Sequence, residues 1–84
     1  MKELLEHIIS SLIDEKYYEI EENVDGDNIR FILKVDQEFI GMIIGKGGKT
    51  VKSIRNILRI KAVLENKGVF LEVVEKEEKK DTTE

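Results

Sequence analysis

The sequence predicts an α+β domain, a three-stranded mixed sheet with helices packed on one face. Three observations carry that expectation. Apolar residues recur at spacings of three and four near the N-terminus and again over 49–64, the period of amphipathic helices. Between them, Ile29, Phe31, Leu33 and Val35 alternate with Arg30, Ile32 and Lys34, the period of a strand. The last apolar run, Val69 to Val74, comes after the second helical stretch. The strand before the helices and the strand after them are therefore joined by a crossover and should lie parallel.

Taken in order, residues 2–14 read as the first helix, with Leu5, Ile8, Ile9 and Leu12 inward and Leu4 and Ile13 at the margins. Glu3 and Glu6 suit its first turns, where the helix dipole favours anions. Tyr18–Val24 and Ile29–Val35 read as strands. Asp25-Gly26-Asp27-Asn28 between them is a turn signal, so the pair should be an antiparallel hairpin. Phe39–Ile44 is apolar and short. It reads as a helix, because Asp36 can cap it and Gly41 would weaken a strand. Lys49–Leu64 reads as a longer helix with Val51, Ile54, Leu58 and Ala62 on one face. Gly68 is expected as its C-cap. Residues 1–75 form one domain in this reading. Residues 76–84 are a charged tail without apolar residues, expected to be disordered.

At 84 residues the chain is one small domain, able to bury about 60% of its unfolded surface. It has no cysteine and one histidine, His7, so disulfides and thiolate metal centres are excluded and no metal or other cofactor is expected. A small domain without disulfides suits the cytoplasm. The longest uncharged apolar run, Phe39 to Gly45, is too short to span a bilayer, and the acidic N-terminus does not resemble a signal peptide. No membrane association is expected. Net charge is −4, but it is unevenly spread. Residues 39–64 hold Lys46, Lys49, Lys52, Arg55, Arg59 and Lys61 and no acid, against eight basic and 18 acidic residues elsewhere. Such a local field, rather than the net charge, decides what docks there.

The basic segment opens on Ile43-Ile44-Gly45-Lys46-Gly47-Gly48-Lys49-Thr50. A nucleotide-binding P-loop would need glycine at position 43, which is Ile43, and would follow a strand. The dinucleotide-binding pattern fails at Thr50, three residues after Gly47. No histidine-based pair is present and the carboxylates are scattered, so no enzyme and no small-molecule substrate is expected. Gly-x-x-Gly between two helices suits a polyanion better. Gly45 and Gly48 have no side chain to keep a sugar-phosphate backbone away. The next helix offers amides at Lys49 and Thr50, where phosphate is favoured.

With Val51, Lys52, Ser53, Ile54 and Arg55 added, this run strongly resembles the core of a KH domain, in which a GXXG loop clamps four nucleotides. The element order resembles the type II KH fold, α-β-β-α-α-β, and the resemblance covers residues 1–75. A free-standing domain of this length is similar to the KhpA family of small bacterial RNA-binding proteins. Two departures are visible: no proline precedes the first core helix, and Met42 stands where many members carry a basic residue. The resemblance implies single-stranded RNA as ligand and action as an RNA chaperone. It also implies a homodimer, or a heterodimer with a larger Jag-type (KhpB) RNA-binding protein, in the control of cell shape and cell-wall synthesis.

The expected RNA-binding residues are Ile44, Gly45, Lys46, Gly47, Gly48, Lys49, Thr50, Lys52 and Arg55. Lys52 and Arg55 follow Lys49 at successive three-residue steps, while Val51 and Ile54 read mainly as core. Bases should lie in an aliphatic cleft between the longer helix and the middle strand. Ile32 and Phe70 should be exposed on the far side of the sheet, and Ile40 and Met42 are a possible dimer face. The other reading of the chain is an interaction module that keeps the fold and binds little RNA itself.

Overall fold

The computed structural model describes residues 1–76. Helix α1 spans Lys2–Ser10, strands β1 and β2 span Tyr18–Asp25 and Asn28–Val35, helices α2 and α3 span Gln37–Ile44 and Lys49–Leu64, and strand β3 spans Gly68–Glu75. The sheet order is β1-β2-β3, with β1 antiparallel and β3 parallel to β2. This is the expected α+β arrangement, with the crossover α2–α3 laid over one face. The tail expected at 76–84 lies, from residue 77 on, outside the described residues. Lys76 itself still donates its amide to the Val35 carbonyl at 2.7 Å.

The central strand carries the core. Phe31, Leu33 and Val35 are fully buried, and Ile29 nearly so. They meet Leu5 and Ile9 of α1, Ile43 of α2, Val51, Ile54 and Leu58 of α3, and Leu71 of β3. Ala62 closes the inner face of α3. The hairpin turns through Gly26 and Asp27, with Gly26 at φ 63°, the positive φ that a two-residue hairpin loop asks of glycine.

Three local expectations are corrected. The first helix stops at Ser10 rather than at residue 14. Ser10 and Ser11 turn their hydroxyls back onto the carbonyls of His7 and Ile8, and the amides of Leu12 and Ile13 both donate to the Ile9 carbonyl. Serine hydroxyls compete in this way with the helical ladder. The tightened turn swings Ile13 into the core, at 6% exposure, and leaves Leu12 at 37%. The inward face of α1 is thus Leu5–Ile9, continued by Ile13 in the turn that follows it. Second, Asp36 sits at the N-cap of α2, but its side chain makes no capping bond. Third, α3 is not closed by Gly68. Asn66 takes the left-handed conformation, φ 57°. The Asn66 amide donates to the Val63 carbonyl at 3.1 Å and the Lys67 amide to the Ala62 carbonyl at 2.8 Å, the paired bonds of a Schellman cap. Gly68 opens β3 instead. Any side chain there would strike the Asn28 carboxamide.

Candidate nucleic-acid interface

The expected site residues fall on one contiguous stretch: the end of α2, the loop, and the first two turns of α3. Gly45 closes α2, its amide donating to the Gly41 carbonyl at 2.8 Å. Its φ of 78° and ψ of 169° lie in a region essentially confined to glycine. A β-carbon would stand 2.7 Å from Thr50 Cβ and 2.8 Å from the Thr50 nitrogen. The space left by Gly45 is therefore filled by Thr50 itself, which lets α2 abut the first turn of α3. It is not an opening for ligand, as the sequence suggested.

The opening lies one step on. Gly47 (φ 65°, ψ 18°) and Gly48 (φ 79°, ψ 11°) are left-handed, and nothing lies within 4 Å of where their β-carbons would be. Lys46, right-handed before left-handed Gly47, makes the pairing of backbone conformations that turns successive amides to one side and cradles anions. The Lys49 amide, expected to be open, bonds back to the Lys46 carbonyl, and the Gly48 amide donates to the Gly45 carbonyl at 3.1 Å. No side chain caps α3, so its positive end also faces the loop.

Lys46, Lys49 and Lys52 are exposed, and among the described residues none of them is ion-paired. The paired cations are Arg30, Lys34 and Lys61. Ile44 is half-buried against the core, and Val51 and Ile54 lie within it. Arg55 is engaged differently from the lysines. Its Nε and Nη2 both donate to the Leu71 carbonyl at 3.3 Å. That bond bridges α3 to β3, which has a neighbour on one side only.

Between α3 and β3 runs a groove of about 280 Å³, walled by Arg55, Leu58 and Arg59 on the helix and by Val69 to Leu71 on the strand. The cleft expected beside the middle strand is therefore displaced by one strand. The parallel partner β3 takes the place next to α3, and β2 is covered on both edges. The consequence is chemical. Leu71 turns its carbonyl away from β2, so strand alternation turns the backbone groups of Val69 and Val73 the same way, toward the open edge. Main-chain donors and acceptors thus line an apolar groove. Arg59, left out of the expected site, stands on this groove four residues beyond Arg55, a spacing that marks one helix face. Ile32 is half-buried and Phe70 is 60% exposed on the outer face of the sheet.

A family model described as KhpA/KhpB, KH domain matches residues 2–73. The chain is 39% identical over 75 residues to a protein of Clostridium perfringens, covering 88% of this chain and all of that one. It is 40% identical over 75 residues to one of Clostridium acetobutylicum, covering 88% and 100%. A protein of Chlamydia trachomatis is 41% identical over 76 residues, covering 89% and 97%. All three carry the name RNA-binding protein KhpA. Among the described residues no helix is long and apolar enough to cross a membrane.

Proposed function

The chain belongs to the KhpA/KhpB KH-domain family, and from that premise we propose that it binds single-stranded RNA, without catalysis, through the Gly45–Gly48 loop and the α3–β3 groove. The observation that carries the reading is the uncrowded left-handed turn at Gly47 and Gly48, flanked by Lys46, Lys49 and Lys52, which are in no ion pair among the described residues, with an apolar groove further along the same helix. A phosphate sits at the loop, Lys46, Lys49 and Lys52 neutralise the backbone, and bases lie on Leu58 with their edges toward β3. No aromatic lies between Phe39 and Phe70, so base selection along the helix rests on aliphatic contact and edge hydrogen bonds and is weak.

The test is the salt dependence of affinity. For single strands, log affinity falls against log salt with a slope of about 0.7 per phosphate contact. Substituting Lys49, Lys52 and Arg55 together by alanine is expected to flatten the slope by about two. Arg55→Ala alone should also loosen the edge of β3, visible as faster amide exchange at Leu71. An unchanged slope in the triple variant would favour the interaction-module reading.

A second element of the proposal is pairing. One KH domain holds about four nucleotides, so two linked loops gain avidity through effective concentration. Ile40 is half-buried against the core, which removes half of the face first suggested, although Met42 is exposed. Ile57, Ile60 and Leu64, exposed at three- and four-residue steps along α3, form a longer apolar stripe. A homodimer, or pairing with a KhpB-type protein, fits such a stripe and would place this chain in RNA chaperoning linked to cell shape and wall synthesis. Sedimentation across a concentration series should show association. A strict monomer that KhpB-type protein does not bind would remove this element and leave RNA binding standing.

A further inference from the structure

We infer that the cavity over Gly68 on the outer face of the sheet takes one further base of the same RNA strand, stacked on Phe70. The inference rests on the RNA-binding reading above and extends the strand beyond the groove.

The cavity is about 520 Å³ and shares Val69 and Phe70 with the α3–β3 groove. On that face Asn28, across the register, lays its carboxamide over Gly68, and Phe70 stands two residues on, both on the cavity wall. The groove leads to it. From Lys49 to Arg59 the helix rises about 15 Å, past Arg55 on Leu71, to the level of Val69 and Phe70. There β3 is the edge of the sheet, so a strand leaving the groove meets no further element before the outer face.

The chemistry of the walls suits a base and not a phosphate. Phe70 is the largest exposed apolar side chain of the sheet, and the Arg30 guanidinium stands 5.6 Å from its ring centroid. Arg30 is already paired with Glu72 at 3.0 Å, and Asp25 lies on the rim, so no net positive charge is on offer to a phosphate. What remains is a π-face, the carboxamides of Asn23 and Asn28 and the Asp25 carboxylate. These are donors and acceptors for the edge of an unstacked base. Asn28 already leans over Gly68, where a stacked base would meet its carboxamide.

The test compares a four-nucleotide RNA with a seven-nucleotide RNA extended at either end, and with the same extensions made abasic. In the unsubstituted protein the extension carrying bases should tighten binding roughly tenfold or more over the abasic one. Phe70→Ala should erase most of that difference, and Phe70→Trp should keep it. Phe70 is exposed, so both variants should fold, which circular dichroism checks. Equal affinity for basic and abasic extensions, or a full gain in Phe70→Ala, overturns the inference. So does a result in which Phe70→Ala alters sedimentation and leaves the gain intact, which would assign the patch to a protein contact. If the tetramer itself does not bind, the RNA reading falls and this inference with it. If the tetramer binds and only the gain is missing, this inference alone falls.

Discussion

The variant carrying aspartate at both Lys46 and Gly47 is expected to keep its fold and to lose RNA affinity by about a hundredfold or more. The fold survives because Gly47 is left-handed at φ 65° and ψ 18°, a conformation aspartate adopts more readily than most residues, and its side chain would meet no atom within 4 Å. Lys46 is exposed and makes no ion pair among the described residues. Binding fails because the loop charge changes by three units beside the phosphate. Near 4 Å each unit is worth about 1 kcal/mol even in a watery dielectric, and about 1.4 kcal/mol is tenfold. Fluorescence anisotropy with a labelled oligonucleotide, beside far-ultraviolet circular dichroism, checks both halves. Native spectra with undiminished affinity would remove the loop from the site.

Gly45→Ala is expected to do the opposite, damaging the fold first. A side chain there is strained by its φ and ψ at a cost of about 1–3 kcal/mol, and it collides with Thr50 backbone as well as side chain. We expect a loss of about 3 kcal/mol in urea unfolding, a large share of the roughly 5–15 kcal/mol that holds a domain together. Gly47→Ala, left-handed but uncrowded, should cost only about 1 kcal/mol. The contrast separates two glycines of one motif. Gly45 is required by the joint between α2 and α3, and Gly47 by the left-handed turn of an uncrowded loop. Equal losses at the two positions would contradict that division.

The element order, the hairpin, the parallel crossover and the buried face of α3 were legible in sequence, because each rests on a periodicity or a turn dipeptide within one segment. The errors arise where two segments meet. Gly68 looked like the cap of α3 because glycine usually is. Asn66 took the left-handed position, and Gly68 was needed by Asn28, 40 residues away in sequence and adjacent only through the parallel register. Gly45 looked like an opening until α3 placed Thr50 over it. The cleft was assigned to the middle strand because nothing in the sequence says that β3 comes to lie beside α3. Arg55, expected in the site, also holds the Leu71 carbonyl, a contact across the crossover that no spacing announces. The cations that are local in sequence, Lys46, Lys49 and Lys52, lie together as their spacing suggested.

Amide chemical-shift mapping of the protein titrated with a single-stranded oligonucleotide tests the placement of RNA most directly. The largest shifts are expected at the Lys46, Gly47 and Gly48 amides, continuing through Lys49, Lys52, Arg55 and Arg59 to Val69 and Leu71. The acidic residues of β1, Glu19, Glu21 and Glu22, should stay unmoved. Shifts confined to β1 and α1, or an undisturbed Lys46–Gly48 loop at saturating RNA, would contradict that placement.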